Sequence, residues 1–300
     1  MTNAPFESTS FKSLKEQIKD PGIIVAPGCY DAFSAMLIAN AGFSTAYVTG
    51  ASIAYTRLGR PDIGLVSMAE VTQTISLIHE RTSVPLDVDG DTGFGNALNV
   101  IRTVRSFEAA GASAIQLEDQ TLPKRCGHLK GKTLIPTGEM VGKIKAATDA
   151  RRSSEFMIVA RTDAIAVEGY DKAIERAERY VEAGADVLFI EAPENEEQQA
   201  GIAKLFNNRI PLLANMVEGG ATPLKTADEL GRMGYAIVIF PGGLIRAFTH
   251  MATEYFASLK KHGSNEPFRD RMLDFGQLNA LLDTATIMEM GAQYDAENWK

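Results

Sequence analysis

The chain has 300 residues, 45% of them hydrophobic, and a formal net charge of −8. This acidic balance argues against a nucleic-acid partner, which favours a basic face. No apolar run reaches the roughly 18–20 residues that span a bilayer, so we expect no membrane partner. The polar residues 1–20 lack the apolar region of a secretory signal. With two cysteines in the whole chain, we expect reduced thiols and a cytoplasmic location.

Eight short apolar runs rich in β-branched residues recur along the chain. They are Ile23–Cys29, Thr45–Gly50, Pro85–Gly90, Ala114–Asp119, Met157–Asp163, Val187–Ala192, Pro211–Met216 and Ala236–Pro241. Continuous apolar character is typical of strands buried on both faces, as in a parallel sheet. Segments with helical spacing lie between most of these runs, such as the one with Val71, Ile75 and Ile78. The alternation predicts an α/β fold, a single (β/α)₈ barrel domain over residues 1–300 rather than an open doubly wound sheet.

Residues 265–300 follow the eight predicted units and are typical of one or two extra helices. Their apolar side chains need a surface to pack on, because soluble proteins rarely expose large apolar patches. These side chains are Met272, Leu273, Phe275, Leu278, Leu281 and Leu282. We therefore predict that this C-terminal extension packs on a partner subunit.

Polar residues repeatedly follow the predicted strands at their carboxyl ends. They are Tyr30-Asp31, Thr49-Gly50, Asp89-Gly90-Asp91, Glu118-Asp119, Arg161-Thr162-Asp163, Glu191, Asn215 and Arg246. A barrel gathers these strand ends on one face, where its active site is built. One acid in such a place is often a helix cap, and Asp163 fits that description equally well. Five acids at matching ends favour a functional site.

The carboxylates indicate a metal site. Asp89 and Asp91 alternate along a strand that we expect to be extended, which would point both side chains to one side. Glu118 ends the next strand, and Asp62 is a further carboxylate in a loop. Clustered acids repel one another unless a cation neutralises them, and oxygen ligands with few histidines favour Mg²⁺, or else Mn²⁺.

Cys126 stands in the segment Lys124-Arg125-Cys126-Gly127-His128. Neighbouring cations stabilise a thiolate and lower the pKa of the thiol, which would suit this cysteine to acid/base or nucleophilic chemistry. The alternative is a buried structural thiol, the more usual role of a cysteine. The cationic neighbours favour the chemical role.

Several segments resemble the isocitrate lyase / phosphoenolpyruvate mutase superfamily. They are Val88–Gly95, Ile115–Gln120, Lys124–His128, Arg161–Ala164 and Asn215–Glu218. The Lys-Arg-Cys-Gly-His segment is similar to that of the carbon–carbon lyases of this family. The resemblance implies a (β/α)₈ barrel with a helix swapped between subunits, in a homodimer or a homotetramer of paired dimers.

The resemblance also implies roles for individual residues. Mg²⁺ would be bound mainly by Asp89, with Asp62, Asp91 and Glu118 reaching it directly or through water. Thr49, Gly50 and Ala51 correspond to a backbone clamp on a substrate carboxylate. The other positions assigned to substrate binding are Lys124, Arg125, Gly127, His128, Arg161, Glu191, Asn215 and Arg246.

The implied reaction is the retro-aldol-like cleavage of a small 2-hydroxycarboxylate to pyruvate or glyoxylate and a second carboxylate. Cys126 would protonate the carbanion and Arg161 would stabilise its charge, with His128 also in the catalytic set. Tyr47 and Glu118 are both candidates for the base that deprotonates the substrate hydroxyl. The loop Leu122–Thr133 would close over the substrate.

The substrate stays open at this point. The short lyases of the family act on 2-methylisocitrate or 2,3-dimethylmalate, and an alkylmalate is the preferred expectation. Oxaloacetate hydrolysis is an alternative, against which Pro241 argues because a serine is expected there. Carbon–phosphorus chemistry of the phosphonopyruvate mutase or hydrolase kind is another alternative, and it would not need Cys126. A non-catalytic binding barrel is the last, and the intact set of acids with Cys126 and Arg161 argues against it.

Overall fold

Eight parallel strands pair in chain order and close into a barrel. They are β1 (Ile24–Cys29), β2 (Ala46–Val48), β3 (Leu86–Asp89), β4 (Ala114–Glu118), β5 (Met157–Thr162), β6 (Val187–Ile190), β7 (Leu212–Asn215) and β8 (Ile237–Phe240). β8 pairs with β1, which closes the sheet. The computed structural model describes residues 11–127, 129 and 131–299. The predicted (β/α)₈ barrel is confirmed, and each strand ends within two residues of the predicted run.

Helices follow the strands around the barrel. They are α2 (Ala32–Asn40), α3 (Gly50–Ile53), α4 (Met68–Arg81), α5 (Ala97–Ala110), α6 (Thr137–Ala150), α7 (Ile165–Glu168), α8 (Tyr170–Glu182), α9 (Glu196–Phe206) and α10 (Ala227–Met233). α1 (Leu14–Gln17) precedes β1, and α11 (Gly243–His262) comes after β8 along the chain. The predicted apolar face of α4, with Val71, Ile75 and Ile78, is buried. Asn96 caps α5 because its side-chain oxygen accepts from the N–H groups of Leu98 and Asn99.

Alternation along the strands decides which side chains enter the barrel. A buried apolar layer fills its interior, with Tyr47, Val159 and Phe189 among its members. Leu14 of α1 belongs to the same layer. Because side chains two apart on a strand share a face, Arg161 and Glu191 lie directly above Val159 and Phe189. The fold therefore places the charged layer on top of the apolar one, at the carboxyl ends of the strands.

The described chain comprises two compact units, residues 11–244 with the barrel and residues 245–299. The second unit holds most of α11 and two further helices, α12 (Phe275–Leu281) and α13 (Thr284–Ala292), with short 3₁₀ turns at Glu266–Arg271 and Ala296–Trp299. The extra helices are therefore present, while their packing on a partner stays a prediction. None of the described helices is long and apolar enough to cross a membrane.

Gly28 near the end of β1 lies against the chain that leaves β8. A Cβ atom at Gly28 would lie 2.2 Å from the carbonyl oxygen of Pro241 and 2.8 Å from its Cα. Both obstacles are backbone atoms, so a rotamer change cannot relieve the clash. This close approach is part of the seam where the first and last strands meet.

We predict that Gly28→Ala lowers the free energy of unfolding by about 1–3 kcal/mol, the usual cost of overpacking. Gly142→Ala is the matched control, because Gly142 lies within α6 and a Cβ there would have no atom within 4 Å. The control should stabilise the protein by about 0.5–1 kcal/mol through helix propensity. Urea unfolding of both variants checks this, and equal stability of Gly28→Ala and the unsubstituted protein would contradict the tight seam.

Candidate active site

Four carboxylates predicted to bind metal are buried at the carboxyl end of the barrel. Asp89 ends β3, Glu118 ends β4, Asp91 lies in the turn after β3, and Asp62 lies in the loop before α4. We call Asp62, Asp89, Asp91 and Glu118 the acidic cluster. Their side chains come from separate segments, and the closed sheet is what gathers them.

The predicted extended backbone through Asp91 is wrong. β3 ends at Asp89, and Asp91 has a left-handed φ of 47° within a tight turn. The Asp91 N–H donates to Asp89 Oδ1 over 3.1 Å, which stabilises this turn. Both carboxylates still approach Gly50, since a Cβ atom there would lie 3.1 Å from Asp89 Oδ2 and 3.7 Å from Asp91 Oδ1. A short turn rather than strand alternation therefore brings the two acids together.

The ammonium of Lys124 lies within the acidic cluster. Its Nζ is 2.7 Å from Asp62 Oδ1 and 2.6 Å from Asp91 Oδ1, and the lysine side chain is only 3% exposed. Burial by itself would lower the pKa of Lys124, but the charges of Asp91, Asp89 and Asp62 outweigh it and hold that pKa well above its ordinary value. Lys124 therefore stays charged and offsets part of the negative charge of the cluster.

Two observations indicate that the acidic cluster could bind a hard divalent cation. Its donors are carboxylate oxygens, the ligands that Mg²⁺ prefers, and a cationic group already lies between two of them. In addition, Glu118 Oε1 is buried with no hydrogen-bond partner among the described residues. In that same part of the chain, no three acidic, histidine or cysteine side chains are already arranged to hold a metal ion. A divalent ion would therefore have to displace the Lys124 ammonium and draw the carboxylates inward.

Arg161 at the end of β5 is buried and surrounded by carboxylates. Its Nε and Nη2 donate to the two oxygens of Asp163 over 2.9 and 3.1 Å. Glu118 Oε2 is 3.4 Å from Nη1, and Glu191 Oε2 is 3.3 Å from Nη2. Below, the guanidinium lies 5.1 Å from the centre of the Phe189 ring. The bidentate pair with Asp163 fixes the plane of the guanidinium at the barrel mouth.

Asp163 is not a helix cap, and the sequence pattern did not reveal its partners. Besides Arg161, its carboxylate accepts from the Lys132 ammonium over 2.8 Å. These neighbouring cations hold the pKa of Asp163 at about 2, although burial alone would raise it. Its backbone N–H donates to Asp119 Oδ1 over 2.9 Å. Asp163 therefore joins the guanidinium, a loop lysine and the preceding strand end.

Asp119 is a second buried acid with a positioning role that the sequence did not indicate. Its Oδ2 accepts from the hydroxyls of Thr162 and Tyr180 over 2.7 and 2.8 Å. Arg176 of α8 approaches the same oxygen at 3.4 Å. Because these partners come from β5 and α8, only the folded chain brings them to Asp119.

Glu191 and Asn215 form a hydrogen-bonded pair across neighbouring strand ends. Asn215 Nδ2 donates to Glu191 Oε2 over 3.0 Å, and the Ala192 N–H donates to Glu191 Oε1 over 2.8 Å. Asn215 Oδ1 is buried, with no hydrogen-bond partner among the described residues. The pair therefore lies beside Arg161, and the amide oxygen of Asn215 could accept a hydrogen bond from a ligand.

Cys126 lies in the loop 122–133 beside these groups. Its backbone N–H donates to the Asp62 carbonyl over 3.2 Å, and the residue is half-buried. Gly127 lies so close to Arg161 that a Cβ atom there would be 2.4 Å from Nη2. The side chain of Gln120 donates to the Arg125 carbonyl and accepts from its N–H. The loop backbone is thus held over the charged layer.

Tyr47 lies lower in the barrel and is fully buried. Burial raises the pKa of its phenol well above its ordinary value, and the charges of Asp89 and Asp87 raise it further. Asp87 is also fully buried, and burial raises its pKa to about 7. Tyr47 therefore stays protonated in the structure as described.

The remaining predicted residues are placed as follows. Thr49 caps α3, with its side-chain oxygen accepting from the Ser52 N–H, so Gly50 and Ala51 form the first turn of a short helix at the barrel mouth. The guanidinium of the exposed Arg125 is turned towards Gly131. Arg246 belongs to the second unit, on α11. His128 lies outside the described residues. The substrate roles of these residues stay predictions.

The fold and the site define a class of protein: a (β/α)₈ barrel enzyme with carboxylates, an arginine and a cysteine loop at the carboxyl ends of its strands. The chain matches the family described as phosphoenolpyruvate phosphomutase over residues 11–260. It is 44% identical to 2,3-dimethylmalate lyase of Eubacterium barkeri, over 94% of this chain and 96% of that one. It is 46% identical to 2-methylisocitrate lyase of Aeropyrum pernix, over 86% and 82%.

A solved structure of phosphonopyruvate hydrolase in complex with oxalate and Mg²⁺ superposes with a TM-score of 0.84. The two share 31% identity over 94% of this chain and 98% of that one. The chain belongs to the phosphoenolpyruvate mutase / isocitrate lyase superfamily. The resemblance inferred from the sequence is therefore confirmed, and the chain is a carbon–carbon lyase of this superfamily.

We predict that Lys124→Met binds Mn²⁺ more tightly than the unsubstituted enzyme when no substrate is present. The substitution removes the cation that competes for Asp62 and Asp91, and an advantage of about 1.4 kcal/mol corresponds to tenfold in Kd. Titration of Mn²⁺ followed by electron paramagnetic resonance measures this directly. Lys145→Met, on the exposed side of α6, is the control. Unchanged or weaker Mn²⁺ binding in Lys124→Met would contradict the competition.

Proposed function

We propose that this enzyme is a Mg²⁺-dependent lyase that cleaves a 2-hydroxy di- or tricarboxylate to pyruvate and a second carboxylate. 2,3-Dimethylmalate is the favoured substrate and 2-methylisocitrate the second candidate. The observation that carries the proposal is the meeting of the acidic cluster, its bound ammonium and the Cys126 loop at one barrel mouth. The relative named 2,3-dimethylmalate lyase supports the first substrate because it matches along nearly all of both chains.

Asp89, Asp62, Asp91 and Glu118 would hold the metal, directly or through water. When bound, Mg²⁺ supplies Lewis-acid polarisation of the hydroxyl and carboxylate oxygens of the substrate. Lys124 would leave the Asp62–Asp91 pair and become available to a substrate carboxylate. This exchange reconciles the predicted substrate-binding role of Lys124 with its present ion pairs.

Arg161 would bind the carboxylate group that accumulates charge as the carbon–carbon bond breaks. It is permanently charged, buried and already oriented by Asp163. A donor fixed before the reaction stabilises developing charge without a reorganisation cost. Glu191 and Asn215 would orient the same end of the substrate, while the backbone of Thr49, Gly50 and Ala51 would bind the other carboxylate.

Cys126 would act as the general acid. The substrate hydroxyl would lose its proton to Glu118, or to Tyr47 only after that phenol had given up its own proton. The carbon–carbon bond would then break, and its electron pair would pass to the departing carboxylate fragment. The thiol of Cys126 then donates its proton to the resulting carbanion carbon. Closure of the 122–133 loop would exclude water and bring the thiol to that carbon. His128 and Arg125 would contribute from the same loop.

The C-terminal extension supports an oligomer, a homotetramer of paired dimers or a homodimer. α12 and α13 contain no buried residue, and Phe275 and Met288 are 87% and 69% exposed. Apolar side chains exposed in such number mark an interaction surface. A second copy of this chain is the partner that we propose for it.

The alternatives within the superfamily differ in chemistry. A carbon–phosphorus mutase or hydrolase of the phosphonopyruvate kind is favoured by the similarity to phosphonopyruvate hydrolase. Oxaloacetate hydrolysis is less favoured, since Pro241 follows β8 directly where a serine is expected. Phosphonate chemistry requires no thiol acid, so the need for Cys126 discriminates between these functions.

We expect EDTA-sensitive release of pyruvate from racemic 2,3-dimethylmalate in the presence of Mg²⁺. Coupling to lactate dehydrogenase measures pyruvate released from 2,3-dimethylmalate and from 2-methylisocitrate. Oxaloacetate and phosphonopyruvate are assayed in parallel by nuclear magnetic resonance, because hydrolysis of oxaloacetate to oxalate and acetate, or mutation of phosphonopyruvate, releases no pyruvate. Among these substrates, kcat/KM should be highest for 2,3-dimethylmalate, and a higher value for 2-methylisocitrate would move the substrate to the second candidate. Turnover of oxaloacetate or phosphonopyruvate alone would overturn the lyase proposal.

We predict that Cys126→Ser lowers kcat by about 10²–10⁴-fold, the usual contribution of a positioned general acid, with a small change in KM. A serine hydroxyl is nearly the same size as the thiol but a far weaker acid. Cys29→Ala is the control because Cys29 is fully buried in the barrel core; this variant should lose stability and keep its kcat. Full turnover by Cys126→Ser would exclude the thiol as the acid.

A further inference from the structure

Lys132 is a buried lysine that the proposed chemistry does not use. Its side chain is only 2% exposed, and its Nζ lies 2.8 Å from Asp163 Oδ1. The same ammonium donates to the carbonyl oxygen of Gly127. Lysine is seldom buried unless it is paired, and here both partners belong to the active site. The two bonds link the end of the 122–133 loop to its middle and to the end of β5.

Asp163 offers Lys132 a fixed anchor. Its carboxylate is bound to Arg161 by two hydrogen bonds, and its backbone N–H donates to Asp119. Asp119 is in turn bound to Thr162 and Tyr180. The anchor therefore belongs to the barrel wall and does not depend on the position of the loop.

Gly127 is the point where the loop meets the charged layer. A Cβ atom there would lie 2.4 Å from Arg161 Nη2 and 2.8 Å from Glu191 Oε2, so the loop backbone contacts both side chains. Cys126 immediately precedes Gly127 along the chain. A bond to the Gly127 carbonyl consequently restrains the backbone that carries the thiol.

We propose that Lys132 is a positioning residue that holds the Cys126–Gly127 backbone against the charged layer and thereby sets the place of the Cys126 thiol. It acts through the Gly127 carbonyl and Asp163 and needs no contact with substrate. The link to catalysis rests on the proposed role of Cys126. The restraint on the loop is independent of any substrate and can be measured without one.

The rate at which iodoacetamide alkylates Cys126 reports loop opening. The chain has two cysteines, and Cys29 is 0% exposed, so the half-buried Cys126 reacts first. We expect Lys132→Met to raise the alkylation rate about tenfold, since the bonds of a charged donor are lost, and to lower kcat more than it changes KM. Losing a cation near a thiol would by itself slow alkylation. A faster alkylation of Cys126 in Lys132→Met would therefore show that the thiol has become more accessible. Lys145→Met, an exposed lysine of α6, should match the unsubstituted rate.

Lys132→Arg keeps a cation able to bond both partners, and its alkylation rate should stay near that of the unsubstituted enzyme. If Lys132→Met does not fold, Lys132→Arg and Lys132→Gln provide the same comparison between a charged and an uncharged donor. Equal alkylation rates in charged and uncharged variants would overturn the proposal, even if 2,3-dimethylmalate proved to be the substrate. Conversely, the alkylation rate of Lys132→Met does not depend on the substrate, so it can support the proposal even if the substrate assignment is wrong.

Discussion

The pairing of buried carboxylates with buried cations is the constraint on which this site depends. Separate strands and loops bring at least six acids to one end of the barrel, and unpaired charges there would be costly to bury. Lys124, Arg161 and Lys132 pair with several of these acids in the described structure and offset part of their negative charge. Two of these three cations belong to the 122–133 loop. The loop is therefore held over the site by the same charges that make the site reactive.

The same ion pairs connect the loop to the barrel. Arg161 and Asp163 belong to β5 and its end, where Asp119, Thr162 and Tyr180 restrain them. Lys132, at one end of the loop, pairs with Asp163 of this frame, whereas Lys124, at the other end, pairs with Asp62 and Asp91 of the acidic cluster. A divalent ion that entered the acidic cluster would release Lys124 but leave the Lys132 bonds in place. In the proposed mechanism, metal binding would therefore affect the Lys124 end of the loop and leave the Lys132 end unchanged.

The sequence predicted the barrel well because each strand is an uninterrupted apolar run with a polar end. Asp89, Glu118, Arg161, Glu191 and Asn215 could be placed by the same pattern, since it fixes the layer that each side chain occupies. The conformation of Asp91 could not, because a left-handed turn replaces the strand. The roles of Asp119, Asp163 and Lys132 could not be predicted from the sequence for another reason. Some of their partners are distant in sequence, since Lys132 is 31 residues from Asp163 and Tyr180 is 61 residues from Asp119, and no local pattern records such pairs.

A crystal structure of the enzyme with Mn²⁺ and pyruvate would test the central claim most directly, namely that Lys124 and the metal compete for the same carboxylates. We expect an anomalous peak bounded by Asp62, Asp89 and Asp91, with the Lys124 ammonium moved out of hydrogen-bond distance of Asp62 and Asp91. The Lys132 bonds to Gly127 and Asp163 should persist. Mn²⁺ bound away from these carboxylates, or bound there while Lys124 keeps both ion pairs, would contradict the account.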